Sequence, residues 1–187
     1  MKPLVVSLPL GKNRGMYSHK VCCPVEGTFK VGDREIAPDP KRDTCLIDEH
    51  RGFYPRHTYW KWATFGVMGS DGKILGVQLT DNLIQDQDQW NENAIWSGGN
   101  LSLLGPVDFT FDLKNYMNNW KIKDREGRVD LDFTPLGVKE DMTNALILRM
   151  HYLQPMGTFS GSLISDDGVR HKIKDAFGVT EYHDAHY

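Results

Sequence analysis

The segment from Cys45 to Trp62 places acids, histidines, arginines and large aromatic residues close together in the chain. Within it, Asp48 and Glu49 precede His50 directly, and a carboxylate beside an imidazole orients the ring and raises its basicity. These three residues are therefore candidates for general acid or base catalysis. Because each buried charge needs a partner, the segment is expected to line a concave site rather than an apolar core.

Aromatic residues after this acidic group are candidates for ligand binding. Tyr54, Trp60 and Trp62 bring large rings near the acids, and Arg56 adds a cation. In a dry pocket such rings stabilise the positive charge that develops when an alkene is protonated. The segment is thus compatible with a lyase or isomerase that needs no cofactor.

The same residues allow a purely structural interpretation. Asp48 would then pair with Arg51 or Arg56 at a strand end, and Tyr54 and Trp60 would pack over the ion pair. The residue types alone do not decide between this pair and the catalytic arrangement.

Two further polar groups are candidates for the same pocket. Residues 81–100 are predicted to form a long polar loop, in which Glu92 and Trp96 either cap the pocket or face solvent. Glu181 and His183 share a face if their segment is a strand. Their spacing with His186, together with His50 or His57, matches no strong metal signature, so no metal site is predicted.

Apolar residues recur with a period of two, and turn residues separate the runs, which predicts antiparallel strands and little helix. The clearest strands cover 107–113 and 129–133. Hairpins are predicted over 60–79, around Asp71-Gly72, and over 119–134. Residues 145–154 are predicted to be a strand because of their β-branched and aromatic content.

Ten to twelve strands with short turns predict a closed or nearly closed barrel, with a sandwich as the alternative. The strand at 60–68 favours the barrel. Trp60, Trp62 and Thr64 lie on one face and Ala63, Phe65 and Val67 on the other, so both faces must be packed.

The 187 residues predict one domain covering 1–187. A net charge of −3 without a basic cluster argues against a nucleic-acid footprint, and no apolar run is long enough for a membrane span. Three cysteines, two of them adjacent, favour a reducing cytoplasm over a disulfide framework. No phosphate loop, dinucleotide fingerprint or nucleophile elbow is present, so no cofactor is predicted.

Several motifs resemble a bacterial family described as a domain of unknown function, DUF2804. They are the acidic-His segment 47–56, the aromatic strand 60–63 with its hairpin, Glu92-Asn93 with Trp96, the 120–135 hairpin, and the ending 157–161 with 178–183. That family is similar to the lipocalin-like group of hydroxyneurosporene synthase (carotenoid hydratase) and AttH-type proteins. The resemblance implies a lipocalin-like, calycin-type antiparallel β-barrel.

The resemblance also implies a pocket for a bulky, apolar, lipid- or isoprenoid-like molecule. Members compared are often built from two lipocalin-like halves, and residues 20–187 resemble the C-terminal one. Either an N-terminal half is a missing partner, or one barrel suffices. The expected function is binding of an apolar small molecule inside the barrel, with the hydratase- or cyclase-like enzyme as one alternative. A structural domain whose barrel is filled by Trp60, Trp62 and Phe65 is the other.

Overall fold

The computed structural model describes residues 1–187, and all of its regular elements are strands. In chain order they are β1 (Leu4–Gly11), β2 (Arg14–Pro24), β3 (Phe29–Val31), β4 (Arg34–Ile36), β5 (Thr44–Gly52), β6 (His57–Met68), β7 (Ile74–Asn82), β8 (Ala94–Ser97), β9 (Asn100–Leu103), β10 (Val107–Thr110), β11 (Trp120–Asp124), β12 (Val129–Asn144), β13 (Arg149–Ile164) and β14 (Arg170–His186). The all-β prediction is confirmed. The structure contains no helix that could span a membrane.

Nine strands form one antiparallel sheet in the order β10-β11-β12-β13-β14-β6-β7-β8-β9. The sheet curls until β10, at one edge, contacts β7 near the other. This half-barrel confirms the calycin-like fold, although β9 and β10 remain as edges and the barrel does not close.

The concave face of the half-barrel holds the main hydrophobic core. Seventeen buried residues form it, and its aromatic side chains come from β6, β10, β11, β12 and β13: Phe65, Phe109, Trp120, Phe133 and Phe159. The rings of Phe111 and Trp120 stack with centroids 3.7 Å apart. Apolar side chains therefore occupy the space in which the ligand pocket was predicted.

Both faces of β6 are packed, as its two-sided apolar pattern predicted. Ala63 and Phe65 enter the core of the half-barrel. Trp60 and Trp62 lie on the opposite face, so the hypothesis that they help to fill the barrel is wrong, whereas Phe65 does belong to that filling.

A three-stranded sheet in the order β1-β2-β5 covers that opposite face. Leu4 and Cys22 from the small sheet pack against Ile74, Ala94 and Trp96 of the large one. The indole N–H of Trp96 also donates to the carbonyl of Lys2, at 2.9 Å. Strands β3 and β4 form a separate short hairpin.

The two predicted hairpins are present as β6–β7 and β11–β12. Gly72 adopts a φ of 74° in the first turn, which explains the Asp-Gly sequence there. The expected strand at 145–154 begins only at Arg149, because Ala145 and Leu148 close a tight turn. The predicted loop 81–100 shrinks to 83–93, because β7 extends to Asn82 and the short strand β8 pairs with β7.

Candidate functional site

A cavity of about 350 Å³ lies between the two sheets. Its lining residues come from both sheets and from the loop that precedes β8: Leu10, Met16, Lys20, Asp48, His50, Tyr54, Thr58, Tyr59, Trp60, Trp62, Thr80, Asn82, Leu83, Glu92, Gln154 and Glu181. The 48–62 segment therefore lines a pocket, as predicted, but this pocket is outside the half-barrel.

Side-chain size along β6 explains why the sheets separate at this point. Gly66 and Gly76 are cross-strand partners, and a Cβ atom on either would lie 2.5 or 3.0 Å from the sulfur of Cys22. The small sheet thus lies directly on the backbone there. Toward Trp60 and Trp62, large side chains hold the sheets apart, and the space between them becomes the cavity.

Four charged side chains form a compact cluster at one end of the cavity. The Nζ atom of Lys20 lies 2.9 Å from Asp48 and 3.3 Å from Glu92. The Nε2 atom of His50 lies 3.1 Å from Asp48 and 3.6 Å from Glu92. Ser18 donates a further hydrogen bond of 2.8 Å to Glu92. The side chains of Lys20 and Glu92 are only 1% and 2% exposed, whereas Asp48 and His50 are partly exposed, so the network is buried at one end and open to the cavity or solvent at the other.

The network shifts the pKa values of His50, Glu92 and Asp48 toward their charged forms. Burial alone would lower the pKa of His50, but hydrogen bonds to Asp48 and Glu92 outweigh it and raise the pKa to about 9. Burial would raise the pKa of Glu92, yet the charge of Lys20 and the contact with His50 lower it. The pKa of Asp48 is also lowered, because contacts with His50 and Lys20 overcome its burial. His50 is therefore an imidazolium at neutral pH.

Glu181 forms a second polar centre in the pocket. Its Oε1 atom accepts hydrogen bonds from the Tyr152 hydroxyl at 2.6 Å and from the Gln154 amide at 2.8 Å. Its Oε2 atom accepts one from the indole N–H of Trp60 at 3.0 Å. Burial and the bond to Glu181 both raise the pKa of Tyr152, which remains a donor.

Stacking and polar contacts hold the two tryptophans in place. His183 stacks on Trp60 with ring centroids 3.8 Å apart, and burial lowers the pKa of His183, so this ring is neutral. The indole N–H of Trp62 donates to Gln78 at 2.7 Å, and Lys20 lies 5.6 Å from the centre of the Trp62 ring. These contacts fix the aromatic wall in one orientation.

Most of the predicted site residues meet in this pocket. The lining includes seven of them: Asp48, His50, Tyr54, Trp60, Trp62, Glu92 and Glu181. Glu49 lies outside the pocket because successive residues of β5 face opposite sides, and it pairs with Arg51 instead. Arg56 is exposed, and Trp96 is buried where the two sheets meet. His183 supports Trp60 from behind without lining the cavity.

Lys20 is the one charged lining residue that the sequence did not single out. The hypothetical structural ion pair of Asp48 with Arg51 or Arg56 is absent, and Lys20 takes the place of the arginine because it lies directly opposite Asp48 in the β2–β5 ladder. The sequence of β2 contains a signal for the role of Lys20. Lys20 shares one face with the buried residues Met16 and Cys22, and a lysine at such a position needs a buried partner.

Two of the histidines considered for a metal site, His57 and His186, do come together, but with Asp184 rather than with Glu181 and His183. His57 and His186 are cross-strand partners with rings stacked 4.1 Å apart, and Asp184 lies 2.9 Å from His57. Candidate ligand atoms of these three residues lie within 4.8 Å of one another. Glu181, His183 and His50 are not part of this group.

A comparison with protein families matches the whole chain, residues 1–187, to the model described as "Domain of unknown function (DUF2804)". The chain belongs to the DUF2804 family. Neither the curated proteins nor the solved structures contain a match to this DUF2804 chain. Its function must therefore be argued from the pocket.

Proposed function

We propose that this DUF2804 protein binds a small organic molecule in the cavity between its two sheets. The observation that supports the proposal is the aromatic wall of Trp60, Trp62, Tyr54 and Tyr59 facing a cavity of about 350 Å³. Protein interiors are normally close-packed, and a cavity of this size with a few convergent polar groups is typical of ligand sites.

The lining indicates an amphipathic ligand rather than the largely apolar one that the family resemblance implies. Seven of the sixteen lining residues are hydrophobic, and the other nine include Thr58, Thr80, Asn82 and Gln154. An aliphatic or aromatic body would pack on the tryptophans. The polar groups of the ligand would meet Glu181 at one side and the Lys20 network at the other.

Native mass spectrometry of gently purified protein, followed by denaturing extraction, tests this proposal. We expect a bound small molecule in the wild type and in Trp90→Leu, whose indole lies outside the pocket. Trp60→Leu should lose it, because one of the two indole rings of the aromatic wall disappears. Equal recovery from both variants would place the molecule elsewhere, and a protein that carries nothing and binds no amphipathic probe would contradict the proposal.

A second candidate function is proton-transfer catalysis without a cofactor, as in a hydratase- or cyclase-like reaction. One observation favours it: His50 lines the cavity with its Nε2 atom 3.1 Å from Asp48 and 3.6 Å from Glu92, contacts that raise its pKa to about 9. An imidazolium held by two carboxylates can donate its proton to a substrate double bond and be reprotonated from solvent.

Catalysis by His50 makes a prediction that distinguishes it from ligand binding alone. His50→Ala should abolish turnover while the folded structure and the ligand affinity are retained, and wild-type activity should fall as pH rises through about 9. The control is His19→Ala, on the opposite face of the neighbouring strand. If His50→Ala unfolds the protein, His50 is structural and the catalytic hypothesis loses its main support.

A further inference from the structure

Glu181 differs from the other two pocket carboxylates in its partners. Asp48 and Glu92 each contact both Lys20 and His50. Glu181 contacts only the neutral donors of Trp60, Tyr152 and Gln154, and no lysine, arginine or histidine nitrogen lies within 4.0 Å of it. The pocket therefore contains three acidic but only two basic residues.

The hydrogen-bond geometry leaves one acceptor position of Glu181 unused. A carboxylate oxygen accepts two hydrogen bonds, and Oε1 already receives both, from Tyr152 and Gln154. Oε2 receives only the bond from Trp60. Oε2 can therefore accept one more hydrogen bond without losing an existing one, and Glu181 lines the cavity.

Charge and surroundings indicate what a further donor would be. No cationic side chain of the protein lies beside Glu181, and a cationic donor makes a stronger hydrogen bond to a carboxylate than a neutral donor does. Trp60 and Trp62 flank Glu181, since it is the cross-strand partner of Trp62. Indole rings beside a carboxylate are a recurring environment for organic cations.

We propose that the ligand carries a protonated amine, which donates to Oε2 of Glu181 while its apolar body packs on Trp60 and Trp62. This inference rests on the proposed function, because it names the group that the pocket recognises. The Lys20 network is charge-balanced internally, so it does not compete with the ligand for Glu181.

Two probes of equal shape test the inference: phenethylamine and phenethyl alcohol, which differ only in the terminal ammonium or hydroxyl group. Their dissociation constants at pH 7 can be measured from the NMR shifts of the Trp60 and Trp62 indole protons. We expect the amine to bind roughly tenfold more tightly to the wild type, as one charge-assisted hydrogen bond implies. Glu181→Gln should remove this preference, and the control Glu140→Gln, a carboxylate outside the pocket, should keep it.

Each other outcome is decisive. Equal affinity of the two probes for the wild type overturns the amine inference and leaves the binding function standing, whereas failure of both probes to bind contradicts the binding function as well. A preference that survives in Glu181→Gln assigns amine recognition to another residue and overturns the inference. If Glu181→Gln does not fold, Glu181→Asp replaces it: its carboxylate is one methylene shorter, and an unchanged preference would then count against the inference.

Discussion

The ammonium group of Lys20 lies almost out of contact with water, between the carboxylates of Asp48 and Glu92. Buried ion pairs often add little net stability compared with apolar residues of the same volume, because both charges lose their hydration. Removing one member is different, since it leaves the remaining charge buried and unpaired. The contribution of the network to stability is therefore measured by comparing single with double substitutions.

Lys20→Met is expected to destabilise the protein by about 3–5 kcal/mol, because Glu92 then loses its nearest cation. The double variant Lys20→Met/Glu92→Gln should recover a large part of this loss, because it removes both charges of the pair and leaves neither one buried without the other. Urea unfolding measures both values. Lys30→Met is the control, since Lys30 and Glu35 are exposed and 3.8 Å apart. A double variant no more stable than Lys20→Met would contradict the pairing.

His50 predicts a pH dependence of stability with a definite sign. Its pKa is raised from 6.5 to about 9 in the folded protein, so the folded state binds the proton more tightly than the unfolded state. The resulting stabilisation is complete below pH 6.5 and is lost as pH rises through 9. We expect the free energy of unfolding of the wild type to fall over this range more than that of His50→Gln. The free energy of unfolding of the control His19→Gln should fall as that of the wild type does. Parallel curves for His50→Gln and the wild type would refute the raised pKa of His50.

At the scale of elements, the contact between the two sheets depends on small residues at one end and large ones at the other. Gly66 and Gly76 let Cys22 approach the backbone of the large sheet. Burial raises the pKa of Cys22 to about 12, so its thiol stays protonated and acts as a small apolar group. The cavity exists because this close contact does not continue as far as Trp60.

Gly66→Ala is therefore expected to weaken the contact between the sheets. Its Cβ would lie 2.5 Å from the Cys22 sulfur and 2.8 Å from the Thr44 hydroxyl, and overpacking of this kind costs about 1–3 kcal/mol. Gly137→Ala is the control, because no atom lies within 4 Å of the added methyl group. Adding Cys22→Ala should rescue part of the loss in urea unfolding. No rescue would mean that the sulfur is not the obstacle.

The elements that the sequence predicted correctly are those whose partners are near in the chain. The β6–β7 hairpin follows from alternation and from Asp71-Gly72, and all of these lie within one short segment. The seven predicted pocket residues followed from their chemistry. The position of the pocket could not be predicted from the sequence, because it depends on β2 pairing with β5 and on β14 pairing with β6. Alternation marks two packed faces of β6, but it does not say which one faces a filled core.

For the whole molecule, the structure separates the core that holds the fold together from the surface that could bind a ligand. Phe133 and Phe159 pack inside the half-barrel, whereas Trp60 and Trp62 face the small sheet. Substitutions on the two faces of one sheet should therefore have different consequences.

Phe133→Ala is expected to destabilise the protein by about 3–5 kcal/mol, because its ring is fully buried. Probe affinity of the folded fraction should stay unchanged. Trp60→Leu should weaken probe binding at least tenfold, as the loss of one large aromatic contact implies, and should cost less stability. Thermal unfolding with and without probe measures both effects. A loss of affinity in folded Phe133→Ala would mean that the ligand enters the half-barrel after all.

The position of β14 between β13 and β6 has a consequence for folding during synthesis on the ribosome. Trp60 and Glu181 are 121 residues apart in the chain, yet their strands are neighbours in the sheet. While the chain is being synthesised, the β6–β7 hairpin can form early, but one side of β6 has no partner until residues 178–186 have been made. Contacts of such long sequence separation form slowly. During that interval β6 exposes an unpaired edge and two indole rings, a state that makes a nascent chain prone to aggregation.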